Sequence, residues 1–384
     1  MLFRSHLPEA ATAALYVAGR EKALADFAAD EAPLRDPPVH GMVASVPQLP
    51  IGALVGRRQE LRRCLRRLRD RQQAGGVVLT GIGGVGKSSV AGRLMQRLKE
   101  EGWLVASHGG LMDLGSISRA VANGLRKGTG PSGHRLAEQL RKPDCEDQER
   151  LELIETALAE EPLLLVLDDF EQNLDIGGGE FLDPDAGELL RRLSRNAIRG
   201  RLLLTCRHPL PGSPAGLAVV PVGPLSEAET RKLMRRLPGL MAQKLSPAER
   251  AALLRRIGGH PRILEFLDGL LSQGVGRLPA VTERLDQALA QAGQKRGAGV
   301  SDLEEGVRQV VTLGMRDVLL EELVALARER GLEEVLLQAA VSGLETPVAG
   351  LVWMLERAGN GVEEAAVEEA LERLAALSLV VRPP

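Results

Sequence analysis

The stretch VVLTGIGGVGKSS, residues 77–89, constrains this chain more than any other. A short apolar run leads into the pattern Gly-x-x-x-x-Gly-Lys-Ser, filled at every fixed position by Gly81, Gly86, Lys87 and Ser88. With Gly83 and Gly84 between them, the glycines permit positive φ and let backbone N–H groups approach an anion closely. A helical pattern follows, so the loop feeds a helix N-terminus whose unpaired N–H groups and dipole favour phosphate oxygens. Lys87 would neutralise the outer phosphates, and the Ser88 hydroxyl would reach a magnesium ion. Val85 and Ser89 complete the set of expected nucleotide contacts in this loop.

The surroundings read as an α/β fold. Val77–Thr80, Trp103–Ser107, Leu163–Leu167, Arg201–Arg207 and Ala218–Val222 are short apolar runs. Helical patterns alternate with them, among them Lys87–Glu101, Ser116–Arg126, Gln148–Glu160 and Asp185–Ala197. Such alternation predicts a parallel sheet covered by helices on both faces. After Leu225 the strand signals stop. Ser226 with Glu229 forms a capping box, and Ser246 with Glu249 repeats it. At 384 residues the chain exceeds a single core. The expected division is a helical segment and proline-rich linker over 1–50, a nucleotide-binding domain over 51–224, a helical lid over 225–299, and a helical, winged-helix-like domain over 300–384.

Composition narrows the partners. The net charge is -2 and aromatics make up 2%, which gives no global pull toward nucleic acid or membrane and no stacking platform for single strands. No apolar stretch reaches the length of a membrane span. The three cysteines are widely separated, as in a reducing compartment, so a cytoplasmic location is expected. One local exception is the arginine-dense segment 57–71, where Leu61, Leu65 and Leu68 mark one apolar helix face. It reads either as a solvated surface or as a docking face for an acidic partner or phosphates.

Two further strand ends carry candidate chemistry. Asp168 closes the run LLLVLD and faces the ligand side of an open α/β sheet, where it would hold Mg²⁺ together with Ser88. Asp169 would polarise an attacking water, or cap a turn. Arg207, ending RLLLTCR, would touch a γ-phosphate, or pair with Asp168 or Asp169. Thr205 is a lesser candidate on the same strand.

Taken in order, these motifs resemble the STAND class of P-loop ATPases, with its NB-ARC and AP-ATPase-like modules. LVGRRQEL (54–61) is similar to the class's lead-in, with Gln59 interposed before Glu60. GIGGVGKSS (81–89), LLLVLDDFEQN (163–173) and LLLTCRHP (202–209) are similar to its phosphate loop, acidic strand and sensor strand. VGPLSEAET (222–230) and GGHPRILEFLDGLL (258–271) are similar to its helical domain. The resemblance implies that Val55 and Arg57 line the adenine and phosphate side. It also implies that Pro261 packs on the nucleotide from the lid, that His260 stands beside the β-phosphate or serves only to end a helix, and that Arg207 senses the γ-phosphate.

Many relatives carry a Met-His-Asp element in a winged-helix domain, whereas no histidine follows His260 here. They also continue into repeat arrays, so a sensor is expected on a longer chain or on another protein.

The expected function is an ATP/ADP switch that self-associates when ATP-bound, engages an effector or sensor protein, and hydrolyses slowly. Nucleic acid is not an expected partner. Two alternatives stay open: an AAA-like ATPase acting on DNA-bound complexes, and a scaffold stabilised by nucleotide without turnover.

Overall fold

The computed structural model of the chain describes residues 46, 54–70, 72–128, 130–175, 178–212, 214, 216–242, 258–272, 320, 323–342, 346–359, 362–377 and 379–380. The helices expected within 1–30, the linker before Val46, the second capping box at Ser246 and the hinge at 292–299 lie outside them. Ala44–Leu225 belongs to one compact unit, and the described residues from Ser226 onward belong to another.

The first unit is built on five parallel strands: β1 (Gly76–Thr80), β2 (Leu104–Gly109), β3 (Leu163–Asp168), β4 (Arg201–Cys206) and β5 (Leu217–Pro221). Their order in space is β2-β3-β4-β1-β5. Thr80 pairs with Cys206, and Leu167 with Leu204, so the ligand-side ends of β1, β4 and β3 stand level. The chain leaves β1 toward the β2 edge and returns through β3 and β4. It then crosses to β5 on the far side of β1, which opens a crevice at the strand ends beside β1.

Side chains of the central strands alternate between two cores, as a period of two requires. Val77, Leu79, Leu164, Val166 and Leu203 face α1 (Arg58–Arg69) and α2 (Lys87–Glu100). Val78, Leu163, Leu165, Leu202 and Leu204 face α3 (Leu114–Leu125), α4 (Pro131–Leu140), α5 (Asp147–Glu160) and α6 (Pro184–Asn196). Strands buried on both faces explain the unbroken apolar runs in the sequence.

The helices begin where local chemistry supplies a cap. Asp113 accepts from the Ser116 amide ahead of α3, and Asp183 accepts from the Asp185 amide ahead of α6, where Pro184 opens the helix. PSGHRLAEQL forms α4 although its opening Pro-Ser-Gly resembles a breaker. Pro131 is at the first turn, where its missing N–H costs nothing.

In the second unit all described elements are helical: α7 (Glu227–Met234), α8 (Pro238–Ala242), α9 (Pro261–Ser272), the stretch 323–329, α10 (Glu333–Ser342), α11 (Val348–Arg357) and α12 (Glu364–Ala376). The expected capping box at α7 is present, with Ser226 and Glu229 bonded reciprocally. Ile263, Leu267 and Leu270 share one core with Leu323, Leu351, Val367 and Leu374. Asp268, buried in α9, accepts from the Leu240 amide at 2.8 Å and so ties α8 to α9.

Candidate functional site

The site grows from the end of β1. Gly81 has φ 152, and a Cβ there would stand 2.4 Å from the Val222 carbonyl oxygen, so only glycine fits where the chain turns beside β5. Gly86 has φ 102 and a Cβ there would meet nothing within 4 Å. Its glycine requirement is conformational, and the space in front of it is open. Between them Val85 is fully buried and anchors the loop in the core under α1 and α2. Gly83, Gly84 (φ 76) and Ser89 complete the turn into α2.

Lys87 is buried, and its Nζ donates to the carbonyls of Gly81 (2.8 Å) and Ile82 (3.2 Å). The cation thus lies along the mouth of its own loop. Burial lowers its pKa, against the opposing pull of Glu171, Asp169 and Asp168.

Opposite stands Asp168, at the end of β3 and nearly fully buried. Ser88 Oγ donates to its Oδ1 at 3.1 Å, and Thr205 Oγ1 donates to the same oxygen. The two hydroxyls come from α2 and β4, so three elements fix one carboxylate. Burial, and then the neighbouring Asp169 charge, push its pKa up to about 6, against those hydrogen bonds. Thr205 also accepts from the Asp169 amide at 3.0 Å, so one hydroxyl orients both acids.

Asp169 has φ 50, a left-handed backbone that aspartate tolerates better than most residues, and it opens a 3-10 turn over Phe170–Asn173. That turn is nailed down. Phe170 is buried and meets Phe181 edge-on at 6.4 Å. Asn173 accepts from the Met112 amide and donates to the carbonyls of Gly110 and Phe170. Burial raises the pKa of Asp169, countered by Lys87.

Glu171, next on the turn, takes hold of Arg207. Arg207 Nε lies 2.7 Å from Glu171 Oε1, and the Arg207 amide donates to Oε2 at 3.3 Å. The Glu171 carboxyl is raised by burial and faces Lys87 as well. The structure joins Arg207 to Glu171. The acidic spacing in DDFE was the available signal, since a turn of three residues brings Glu171 back beside the end of β4.

The lead-in residues act from behind the loop. Arg57 is buried and has φ 62. Its guanidinium donates to the Val85 carbonyl (2.7 Å), the Gly223 carbonyl (2.6 Å) and Glu60 (3.1 Å). It braces the phosphate loop against the segment after β5. Val55 is buried beside it.

His260 and Pro261 lie in the second unit. Pro261 starts α9, and His260 Nδ1 accepts from the Ile263 amide at 3.4 Å, a helix-capping contact.

The donors fit a phosphate-bound magnesium. Ser88 and Asp168 already touch, and a hydroxyl beside one carboxylate suits a hard cation that keeps most of its waters. Among the described residues no group of three or more His, Cys, Asp or Glu side chains is placed to hold a metal ion, and no helix is long and apolar enough to cross a membrane.

Residues 53–206 match the family model of the AAA ATPase domain, so this part of the chain has the sequence character of a nucleotide-binding ATPase domain. No curated protein matches the chain. Among solved structures, the chain is similar to a signal transduction ATPase with numerous domains that carries a tetratricopeptide repeat sensor, from Pyrococcus horikoshii. The identity is 17% and the TM-score 0.45, over 86% of this chain and 51% of that one, so the chain spans about half its length. It is similar also to a Walker-type ATPase of Pyrococcus abyssi (15% identity, TM-score 0.40, 87% of this chain and 93% of that one). A third is AMPPCP-bound DnaA from Aquifex aeolicus (13% identity, TM-score 0.39, 84% of this chain and 89% of that one).

Proposed function

We propose that the chain is an ATP/ADP-dependent switch of the STAND type that self-associates when ATP-bound and turns nucleotide over slowly. The observation that carries this reading is the Asp168 carboxylate held between Ser88 and Thr205 at the mouth of a glycine loop closed by Lys87. In this reading the loop amides of 81–89 bind phosphate and Lys87 leaves its carbonyl partners for the outer phosphates. Ser88 and Asp168 would hold a magnesium ion, which would supply charge neutralisation to the phosphates.

Asp169 is the base that would accept a proton from water. Arg207 is the γ-phosphate sensor, and Glu171 competes for it. An arginine already engaged by a carboxylate gives little help to a phosphoryl transition state, which supports slow hydrolysis. The exchange of Arg207 between Glu171 and phosphate supplies two states that ATP and ADP would bias differently. In this reading residues 225–299 act as a lid, and 300–384 as a winged-helix-like module that meets an effector or sensor protein.

A second reading is supported by the AAA ATPase match over 53–206 and by the arginine row of α1: an AAA-like ATPase working on DNA-bound complexes. Duplex binding that weakens steeply with salt is its signature.

The deciding experiment measures mass by light scattering after size exclusion, with Mg²⁺ and either ATP or ADP. The switch reading expects a larger species with ATP, a smaller one with ADP, and no nucleotide response in Lys87→Ala. A mass that ignores both nucleotide and Lys87 sinks it.

A further inference from the structure

The site uses one arginine at the head of α1, its N-cap Arg57. Arg57 points inward to the loop, and Arg67 donates to the Ala74 and Gly216 carbonyls. Arg58, Arg62, Arg63 and Arg66 are exposed and form no ion pair among the described residues. Arg58, Arg62 and Arg66 repeat every four residues, so they form one stripe, continued by Arg69, which pairs with Glu101. The stripe spans 58–69, about 16 Å at a helical rise of ~1.5 Å per residue. Leu61, Cys64, Leu65 and Leu68 hold the opposite side of α1 in the core against β1 and β5, so the stripe cannot turn inward.

A matching stripe of opposite sign lies on the same unit. Glu149, Glu152 and Glu160 are exposed on α5, with Thr156 between them, while Ile154, Ala157 and Leu158 anchor the helix beneath. Gln148 donates to Glu152, and among the described residues no arginine or lysine forms an ion pair with the three glutamates, although Arg192, paired with Glu155, stands near enough to Glu152 to feel its charge. From 149 to 160 the acidic row also covers about 16 Å.

The two rows sit at opposite ends of the sheet. The α1 helix packs on β1 and β5, while α5 packs among α3, α4 and α6 on the other face, toward the β2 edge. One copy cannot bring its own rows together across the sheet, whereas two copies can meet basic row to acidic row. Each copy then keeps one row free for the next, which is the geometry of a head-to-tail contact.

We propose that the α1 arginine stripe is a self-association surface whose partner is the acidic α5 stripe of a second copy of this chain. The proposal rests on the switch reading above and adds the surfaces through which copies meet. Complementary charge steers and registers the encounter, and it weakens as salt rises.

The test is a charge exchange on the full chain, with ATP and Mg²⁺, followed by light scattering at low and high salt. Arg62→Glu with Arg66→Glu should weaken self-association about tenfold or more, since like charges then face each other. Glu149→Arg with Glu152→Arg should do the same. Mixing the two variants, or combining all four changes in one chain, should restore assembly, which no loss of folding can imitate.

Two results overturn the proposal and differ in what else they remove. If the wild-type chain assembles with ATP and the reversals leave assembly unchanged, the interface is wrong while the switch stands. Loss of duplex DNA binding in the arginine variant, with assembly intact, would give the stripe to a nucleic acid instead. If the wild-type chain never assembles with ATP, interface and switch fall together.

Discussion

Lys87→Ala is expected to weaken ATP binding about 10- to 100-fold while leaving the nucleotide-free chain folded. Among the described residues Lys87 Nζ is bonded to the Gly81 and Ile82 carbonyls, both at the partly exposed mouth of the loop, where water can replace it. Its burial already lowers its pKa, so the charge gains little from the nucleotide-free fold. With phosphate present the same cation forms charge-assisted hydrogen bonds worth about 1.5–3 kcal/mol, and each ~1.4 kcal/mol is a factor of ten in affinity. Thermal shift reads the difference directly. A ligand at ~100 times its Kd stabilises by about 2.7 kcal/mol, and a hundredfold loss of affinity leaves about 0.4 kcal/mol. Equal shifts in the wild type and the variant would mean that Lys87 does not meet the nucleotide. Lys87→Arg should not rescue binding, because the planar fork does not fit a slot shaped for a point charge.

Asp168→Asn is expected to stabilise the nucleotide-free chain at pH 7.5. The Asp168 pKa rises from 3.8 to about 6 on folding, through burial and then Asp169. A raised carboxyl binds its proton more tightly in the folded state than in the unfolded one. Stability is therefore greatest, as far as this group is concerned, below about pH 4, and it falls as pH rises toward 6. Above that the penalty is about 3 kcal/mol, from ~1.4 kcal/mol per pKa unit. Asparagine has no charge to bury, and its carbonyl can still accept from Ser88 and Thr205. For a unit of this size the change amounts to about 5–10 °C in Tm at pH 7.5, shrinking to nearly nothing at pH 4. A variant less stable than the wild type at pH 7.5 would refute this account of the site's electrostatics. The trade suits the proposed magnesium site: a carboxylate that the fold tolerates poorly alone is one that a cation would stabilise.

Much of this was legible from the residues. The phosphate loop announces itself because glycines at 81, 84 and 86 are required by positive φ, and Lys87 and Ser88 follow at fixed spacing. Leu163–Asp168 and Arg201–Cys206 read as strands because both faces of each are buried. What stayed hidden is what the strand order creates. Nothing in the one-dimensional pattern says that β4 lies between β1 and β3, and only that neighbourhood lets Thr205 hold Asp168 and Asp169 together. The Glu171–Arg207 pair has the same origin. Asn173, which locks the turn to the loop after β2, carries no local signal, because its partners Gly110 and Met112 are distant in sequence. Arg57 sat in a recognisable lead-in, but its bonds to Val85 and Gly223 depend on the loop after β5 returning beside the phosphate loop.

The central claim is that Ser88 and Asp168 together seat a magnesium ion on phosphates cradled by the 81–89 loop. Calorimetric titration of the intact chain with ATP, once with Mg²⁺ and once with a chelator, tests it in the wild type and in Asp168→Asn. The account predicts that Mg²⁺ tightens ATP binding in the wild type and that this gain disappears in Asp168→Asn, while weak metal-free binding persists in both. An equal gain from Mg²⁺ in the two proteins, or no ATP binding in the wild type under either condition, would contradict it.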